Sequence, residues 1–207
     1  MGNLINHGIA LIRTTIQPAW VRCTHWINAL AVVLMVTSGW QIYNASPIFQ
    51  VLRFPSAITL GAWLGRALRW HFAIMWMLFV NFLVYVGLNI ASGRLRRQLL
   101  PVSFKSLATD LVGALRGTLA HEDLTRYNAV QKFAYLVAIV DIGVVILSGL
   151  AIWKSVQFPL LRTLMDGYDN ARVVHFFAMG VLVAFFVLHV VMVALVPRSL
   201  FLMIGGR

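Results

Sequence analysis

Residues 173–197 read VVHFFAMGVLVAFFVLHVVMVALVP, twenty-five positions without a formal charge. A helix needs about 20 predominantly apolar residues to cross the ~30 Å hydrocarbon core of a bilayer, so this run is long enough to span. Two of its side chains do not suit lipid, His175 and His189. They are fourteen residues apart. At about 100° per residue that separation comes to about 1400°, roughly 40° short of four turns, so both imidazoles leave nearly the same helix face. At ~1.5 Å rise per residue they stand ~21 Å apart along the axis, one toward each side of the membrane. The spacing predicts a helix that carries two metal centres at different depths, with the rest of the chain supplying the opposite ligands.

Composition sets the class. The 207 residues are 60% hydrophobic and 11% charged, with a mean hydropathy of +0.83, too little polar surface to cover a soluble domain. A net charge of +11 would suggest nucleic acid in a soluble protein. Here the basic residues sit in loops between apolar runs, where they orient a protein in lipid, and no nucleic-acid partner is expected. The single cysteine, Cys23, excludes a disulfide framework within the chain and a cysteine-rich metal or iron–sulfur site. Cys23-Thr24-His25 is not the C-x-x-C-H of covalent haem attachment. Residues 1–12 are only mildly apolar and no basic region precedes them, so no cleavable signal is expected.

Four runs qualify as spans, at about residues 20–43, 70–91, 133–153 and 173–197. Between the first two, residues 54–65 are uncharged but too short to cross. With Pro47, Pro55 and flanking arginines, that segment reads as a loop and a helix lying in the interface. The link at 92–132 is the longest and most polar. An even number of spans puts both termini on one side. Arg13, Arg22, seven Lys/Arg of the long link, Arg198 and Arg207 give that side eleven cations, against six on the other (Arg53, Arg66, Arg69, Lys154, Arg162, Arg172). The excess assigns both termini and the long link to the cytoplasm.

Four of six histidines fall inside spans, and depth pairs them: His71 with His175 toward the outside, His25 with His189 toward the inside. A single intramembrane histidine is also explained by a hydrogen bond to a backbone carbonyl. Four that match two by two are better explained as ligands, since ionisable residues in spans mark functional sites. Zinc or copper would need three or four protein ligands at one depth, and each depth offers two. A porphyrin iron already has four in-plane nitrogens, and two imidazoles complete it without an open position, which suits electron transfer rather than oxygen chemistry.

Smaller features fit around that frame. Gly39 is fourteen residues after His25 and so faces the other centre, where a flat macrocycle must approach the backbone closely; ordinary helix packing through small residues competes equally. Ser38-Gly39 is echoed by Ser148-Gly149, and for Gly143 and Gly149 packing is the favoured reading. Arg22, Arg69 and Arg172 stand two or three residues before His25, His71 and His175, as haem propionate partners or as interface anchors. Asp141 and Asn81 lie mid-span; a lone carboxyl there is protonated or hydrogen-bonded, in a proton relay or in a purely structural bond. Asp166, Asp169, His7 and His121 read as loop or interface residues.

One layout gathers these features. One histidine on each of the first two spans and two on the fourth resemble the prokaryotic di-haem cytochrome b family. That family includes the gamma subunit of membrane formate dehydrogenase, the cytochrome b of nickel–iron hydrogenases, and cytochrome b561. The resemblance covers essentially the whole chain and is carried by Arg22-x-x-His25-Trp26-x-Asn28-Ala29, Ser38-Gly39, Arg69-Trp70-His71-Phe72 and Tyr127-Asn128-Ala129-Val130-Gln131-Lys132. It implies an all-α integral membrane protein, a four-transmembrane-helix bundle binding two b-type haems, with residues 1–207 as a single di-haem domain. In formate dehydrogenase gamma subunits a Tyr-Asn-x-Gly-Gln-Lys run helps shape a quinone pocket, which by resemblance makes Asn128 and Gln131 quinone-site candidates, with the edge of His189 nearby. Val130 stands where that run has glycine, a departure that reshapes or removes the pocket. The competing reading makes Asn128 an N-cap.

The resemblance further implies an electron-transfer subunit of a bacterial inner membrane, joining a periplasmic-facing oxidoreductase (a molybdopterin enzyme or a hydrogenase) to the quinone pool. Electrons would pass between the outer haem of His71 and His175 and the inner haem of His25 and His189. The catalytic chemistry would belong to the partner, and no catalytic residue is expected in this chain. Two alternatives stay open. One is a free-standing superoxide:quinone oxidoreductase of the cytochrome b561 group, against which the long link weighs mildly. The other is a haem-free carrier or channel, disfavoured because the chain shows no inverted repeat and no broken spans.

Overall fold

In hydrocarbon, every backbone N–H and C=O must find its partner within its own segment, and a helix achieves this for an apolar run without help from side chains. The computed structural model describes residues 17–116 and 127–205, so the expectations for residues 1–12, His7 and His121 lie outside the described residues. Seven α-helices follow one another among the described residues: α1 (Ala19–Ala45), α2 (Leu64–Ala91), α3 (Phe104–Leu115), α4 (Ala129–Trp153), α5 (Pro159–Leu164), α6 (Tyr168–Leu195) and α7 (Pro197–Gly205). Four of them, α1, α2, α4 and α6, are long and apolar enough to cross a membrane. Hydroxyls inside them are spent locally: Thr24, Thr37, Ser38 and Ser148 each donate to the carbonyl one turn back, at 2.6–2.8 Å. That arrangement lets a hydroxyl lie at membrane depth without an open hydrogen bond.

All four spans begin earlier than their charges suggest. The sequence places the second at residue 70, whereas α2 begins at Leu64 and carries Arg66 and Arg69 within its first two turns. Long basic side chains at a helix end reach back to water while their stems stay against apolar surface, so a charge marks the membrane boundary and not the helix boundary. The fourth span ends at Leu195 rather than at residue 197, because Pro197 lacks an N–H and opens α7 instead.

The interfacial helix expected over residues 54–65 does not form. Only one 3₁₀ turn, Ser56–Ile58, is present there. Gly61 has φ +114°, and a Cβ on it would sit 2.6 Å from the Ala67 backbone, so the chain must turn sharply before α2. The loop is held down on the end of α1 instead. Asn44 donates to Phe54 O at 2.8 Å and accepts from Phe54 N–H at 3.0 Å. Thr59 donates to Gln41 at 2.7 Å, and Trp40 stacks on Phe54 at 4.7 Å.

The spans form two antiparallel hairpins, α1 against α2 and α4 against α6, with close backbone approach inside each hairpin and far less between them. What joins the hairpins is a layer of side chains at mid-height: Ala31, Val32 and Val36 of α1, Leu78 of α2, Ile142 of α4 and Leu182 of α6. Outward faces carry large apolar residues such as Leu30, Trp76, Val140 and Leu188, each more than half exposed, as a lipid-facing surface requires. The end of the bundle where α1 starts and α6 finishes is termed basal, the other apical. At the basal end α7 turns back on α1, accepting hydrogen bonds from Arg22 at Ile204 O (2.7 Å) and from Trp26 at Met203 O (3.1 Å). At the apical end Arg172 of α6 donates to Ser46 O at 2.5 Å.

Candidate metal centre

α6 presents two imidazoles, and each faces one other. At the basal end His189 meets His25 of α1, ring centroids 5.9 Å apart and ring planes at 61°. At the apical end His175 meets His71 of α2 at 6.5 Å and 69°. Leu182, buried in the mid-height layer, is seven residues from each histidine of α6. The two pairs are therefore separated by the apolar layer that joins the hairpins.

The separations themselves test what such a pair can hold. A metal–imidazole bond of about 2 Å, plus about 1 Å from ligating nitrogen to ring centre, puts two axial rings on one ion about 6 Å apart. Both pairs meet that requirement. Among the described residues no group of three or more His, Cys, Asp or Glu side chains converges on one point, so each pair fits an ion whose other ligands come from a cofactor. The looser backbone spacing between the hairpins is where a flat group fits, and a porphyrin iron matches both the donor set and the shape.

The Ser-Gly pairs sit against the apical histidines. Ser38 Oγ lies 3.0 Å from Nδ1 of His71, and Ser148 Oγ 2.9 Å from Nδ1 of His175. The glycine that follows each serine lets the ring lie on the backbone: a Cβ at Gly39 would be 3.5 Å from His71 Cε1, and one at Gly149 3.3 Å from His175 Cε1. The packing favoured for Gly149 is thus packing against an imidazole. Gly39→Ala should be nearly neutral, its new methyl at ordinary contact distance. Gly149→Ala forces His175 or its helix to give way, and should cost about 1 kcal/mol, the scale of an off-rotamer side chain. Thermal unfolding of the two variants side by side checks the order. The basal pair is framed by aromatics instead, with Phe185 stacked on His189 at 5.8 Å and Trp26 edge-on to His25 at 5.4 Å.

The remaining candidates are distributed as follows. Arg22, beside His25, is tied to α7 through one terminal nitrogen, while its Nε is buried without a partner among the described residues. Arg172 braces α6 against Ser46 and lies 4.0 Å from the exposed Asp169. Arg69 is exposed beside Arg66, Trp70 and Ala73 around a shallow depression of about 550 Å³. Asn128 and Gln131 form a reciprocal capping box on α4, Asn128 accepting from Gln131 N–H at 2.8 Å and Gln131 accepting from Asn128 N–H at 3.2 Å. Their carbonyl oxygens are thereby engaged, and their amide NH₂ groups remain as donors. Asp110 of α3 takes the next N–H, that of Ala129, at 2.7 Å. Asn81 donates to Thr24 O at 2.9 Å, anchoring α2 to α1 next to His25. Asp141 is buried, and its Oδ2 has no partner among the described residues.

Sequence reasoning missed a polar cluster at the basal end. Arg94 donates to Gln17 at 2.7 Å, and Gln17 donates to the Tyr127 hydroxyl at 3.1 Å. Tyr127 packs edge-on to Tyr135 at 5.2 Å, and Tyr85 lies within electrostatic range of Tyr127 and Arg94. Its members come from four separate stretches of chain, so no spacing rule connects them. The available signal was the buried polar Gln17 just before a span.

Comparison with known proteins settles the family. The profile described as prokaryotic cytochrome b561 matches residues 16–206. The chain belongs to this family. It is also 57% identical over 192 residues to the putative protein-methionine-sulfoxide reductase subunit YedZ1 of Azospira oryzae, an alignment covering 93% of this chain and 96% of that protein. The chain is therefore an all-helical, multi-pass bacterial membrane cytochrome that binds haem b and transfers electrons.

Proposed function

We propose that residues 1–207 form one di-haem domain, with one haem b held by His25 and His189 and a second by His71 and His175. The observation that carries this reading is the pair of facing imidazole couples near opposite ends of α6. Haem supplies a one-electron couple at each level, and the chain supplies axial ligands, orientation and a dry surrounding. Arg22 Nε, buried beside His25 and unpartnered among the described residues, is a donor for a propionate of the basal haem. Arg69 and Arg172 serve the apical one. By the excess of cations around the termini and the long link, the basal end faces the cytoplasm and the apical end the periplasm.

The electrons come from quinol at the basal end and leave at the apical end for a periplasmic oxidoreductase. The YedZ1 relative is a reductase subunit by name, which supports outward flow to a reductase of protein methionine sulfoxide, a molybdopterin enzyme, over a hydrogenase. A quinone carbonyl needs hydrogen-bond donors, and the amide groups of Asn128 and Gln131 beside Tyr127, Tyr135, Tyr85 and Arg94 supply them near the basal haem.

The test is reduction of the purified protein, in nanodiscs, by a soluble hydroquinone. The reduced-minus-oxidised spectrum should show b-type bands, two haems per chain should be reduced, and Tyr127→Phe or Gln131→Ala should slow the reaction several-fold. A preparation with one haem per chain, or none, overturns the di-haem reading. Undiminished reduction in both variants removes the basal cluster from the quinone reaction.

A further inference from the structure

The structure assigns Ser38 and Ser148 as positioning residues for the apical histidine pair, fixing which nitrogen of each ring is free to bind iron. The inference rests on the proposed ligation by His71 and His175 and names what sets their state. Both serines are fully buried, at 0% exposure. Ser38 Oγ is 2.6 Å from Leu34 O, and Ser148 Oγ is 2.7 Å from Val144 O. A carbonyl cannot donate, so the single hydroxyl proton is committed to that carbonyl. What the oxygen turns toward the imidazole is then a lone pair, and at 3.0 and 2.9 Å the Nδ1 atoms of His71 and His175 must be the donors.

A second carbonyl lies near each hydroxyl, Met35 O 3.1 Å from Ser38 Oγ and Val145 O 3.2 Å from Ser148 Oγ, and it too can only accept. With the hydrogen held on Nδ1, the lone pair is on Nε2, the nitrogen left for the metal. The device occurs twice: Ser38-Gly39 of α1 cradles a histidine of its hairpin partner α2, and Ser148-Gly149 of α4 cradles one of its partner α6. It is confined to one tier. Among the described residues neither His25 nor His189 has a hydrogen bond at its ring nitrogens, and their neighbours are the rings of Trp26 and Phe185.

An acceptor on the far nitrogen fixes the ring's rotation and makes the imidazole a more basic ligand. A more basic axial ligand favours ferric over ferrous iron, so the two serines hold the apical potential down and leave the basal one alone. In the double variant Ser38→Ala/Ser148→Ala, the apical midpoint should rise by about a tenfold change in the reduction equilibrium, about 59 mV for a one-electron couple. Each single variant should give part of that shift, with the basal midpoint unmoved. Cysteine at the same positions keeps the volume but is a weak acceptor, and should shift the potential in the same direction.

The experiment is a potentiometric titration of the two-haem protein, with low-temperature EPR of the ferric state. The expected result is a rise in one midpoint only, together with displacement of that haem's low-field g value as its ring planes turn. If His71→Ala removes the apical haem while the serine variants leave its midpoint and g value unchanged, the serines merely fill space and the inference is overturned. If His71→Ala leaves that haem intact, the ligand assignment fails instead. A shift shared equally by both haems would also overturn it.

Discussion

His71→Ala should leave a folded protein with one haem, the basal one, and His25→Ala should leave the apical one. On the proposed pairing each substitution deletes one of the two protein ligands of one haem, and among the described residues no group of three or more His, Cys, Asp or Glu offers a replacement. The two tiers are separated by the layer built on Ala31, Val32, Val36, Leu78, Ile142 and Leu182, and perturbations at separated sites without shared partners act independently. Haem content per chain should fall from two to one in either variant, and the surviving midpoint should tell which site is left. Quinol-driven reduction should survive His71→Ala, because the basal haem remains, and fail in His25→Ala. Passage of electrons to an apical acceptor should be lost in both. Loss of both haems from a folded single variant would undo the pairing, as would retention of both.

The second large effect is on stability, and its sign is positive. Asp141→Val should stabilise the bundle by about 1–3 kcal/mol, the desolvation cost of a buried polar group left without a hydrogen bond. Asp141 is 8% exposed, and its Oδ2 lacks a partner among the described residues. Valine removes the polar atoms while staying close to the original volume, so little overpacking is introduced. Unfolding in increasing SDS, with haem absorbance as the signal, measures the difference. A variant less stable than the parent would show that the carboxyl has a partner that holds it in place. A more stable variant with slower quinol oxidation would show that the chain retains the carboxyl for proton handling at a cost in stability, a common exchange at working sites.

Most of the scaffold was legible in the sequence for one reason: lipid tolerates so few polar atoms that any exception is informative. Four long apolar runs gave four helices, and histidine depth alone matched the two couples that face one another. Boundaries were less legible, because Arg66 and Arg69 were treated as edges although their long stems let α2 continue through them to Leu64. The helix expected over residues 54–65 failed for a local reason, the left-handed backbone at Gly61 and the polar grip of Asn44 and Gln41. The repeat of Ser-Gly was visible as a pattern, but its meaning needed the rotational phase of two helices against two others, which no single-helix wheel supplies. Asn128 fits two roles in the sequence, a cap and a quinone contact. Its oxygen closes the first turn of α4, a short-range pattern that sequence reads well, whereas the Gln17–Tyr127–Arg94 cluster depends on distant segments meeting.

The mid-height layer has a consequence for charge balance. Its members are aliphatic side chains that cannot themselves pass on a hydrogen ion, and the buried polar groups nearest to them in sequence are Asn81, three residues from Leu78, and Asp141, next to Ile142. Electron tunnelling does not need polar groups. An electron can thus cross where aliphatic side chains meet, whereas a hydrogen ion crossing the same level would have to pass by way of the Asp141 carboxyl, so the two charges do not share a route.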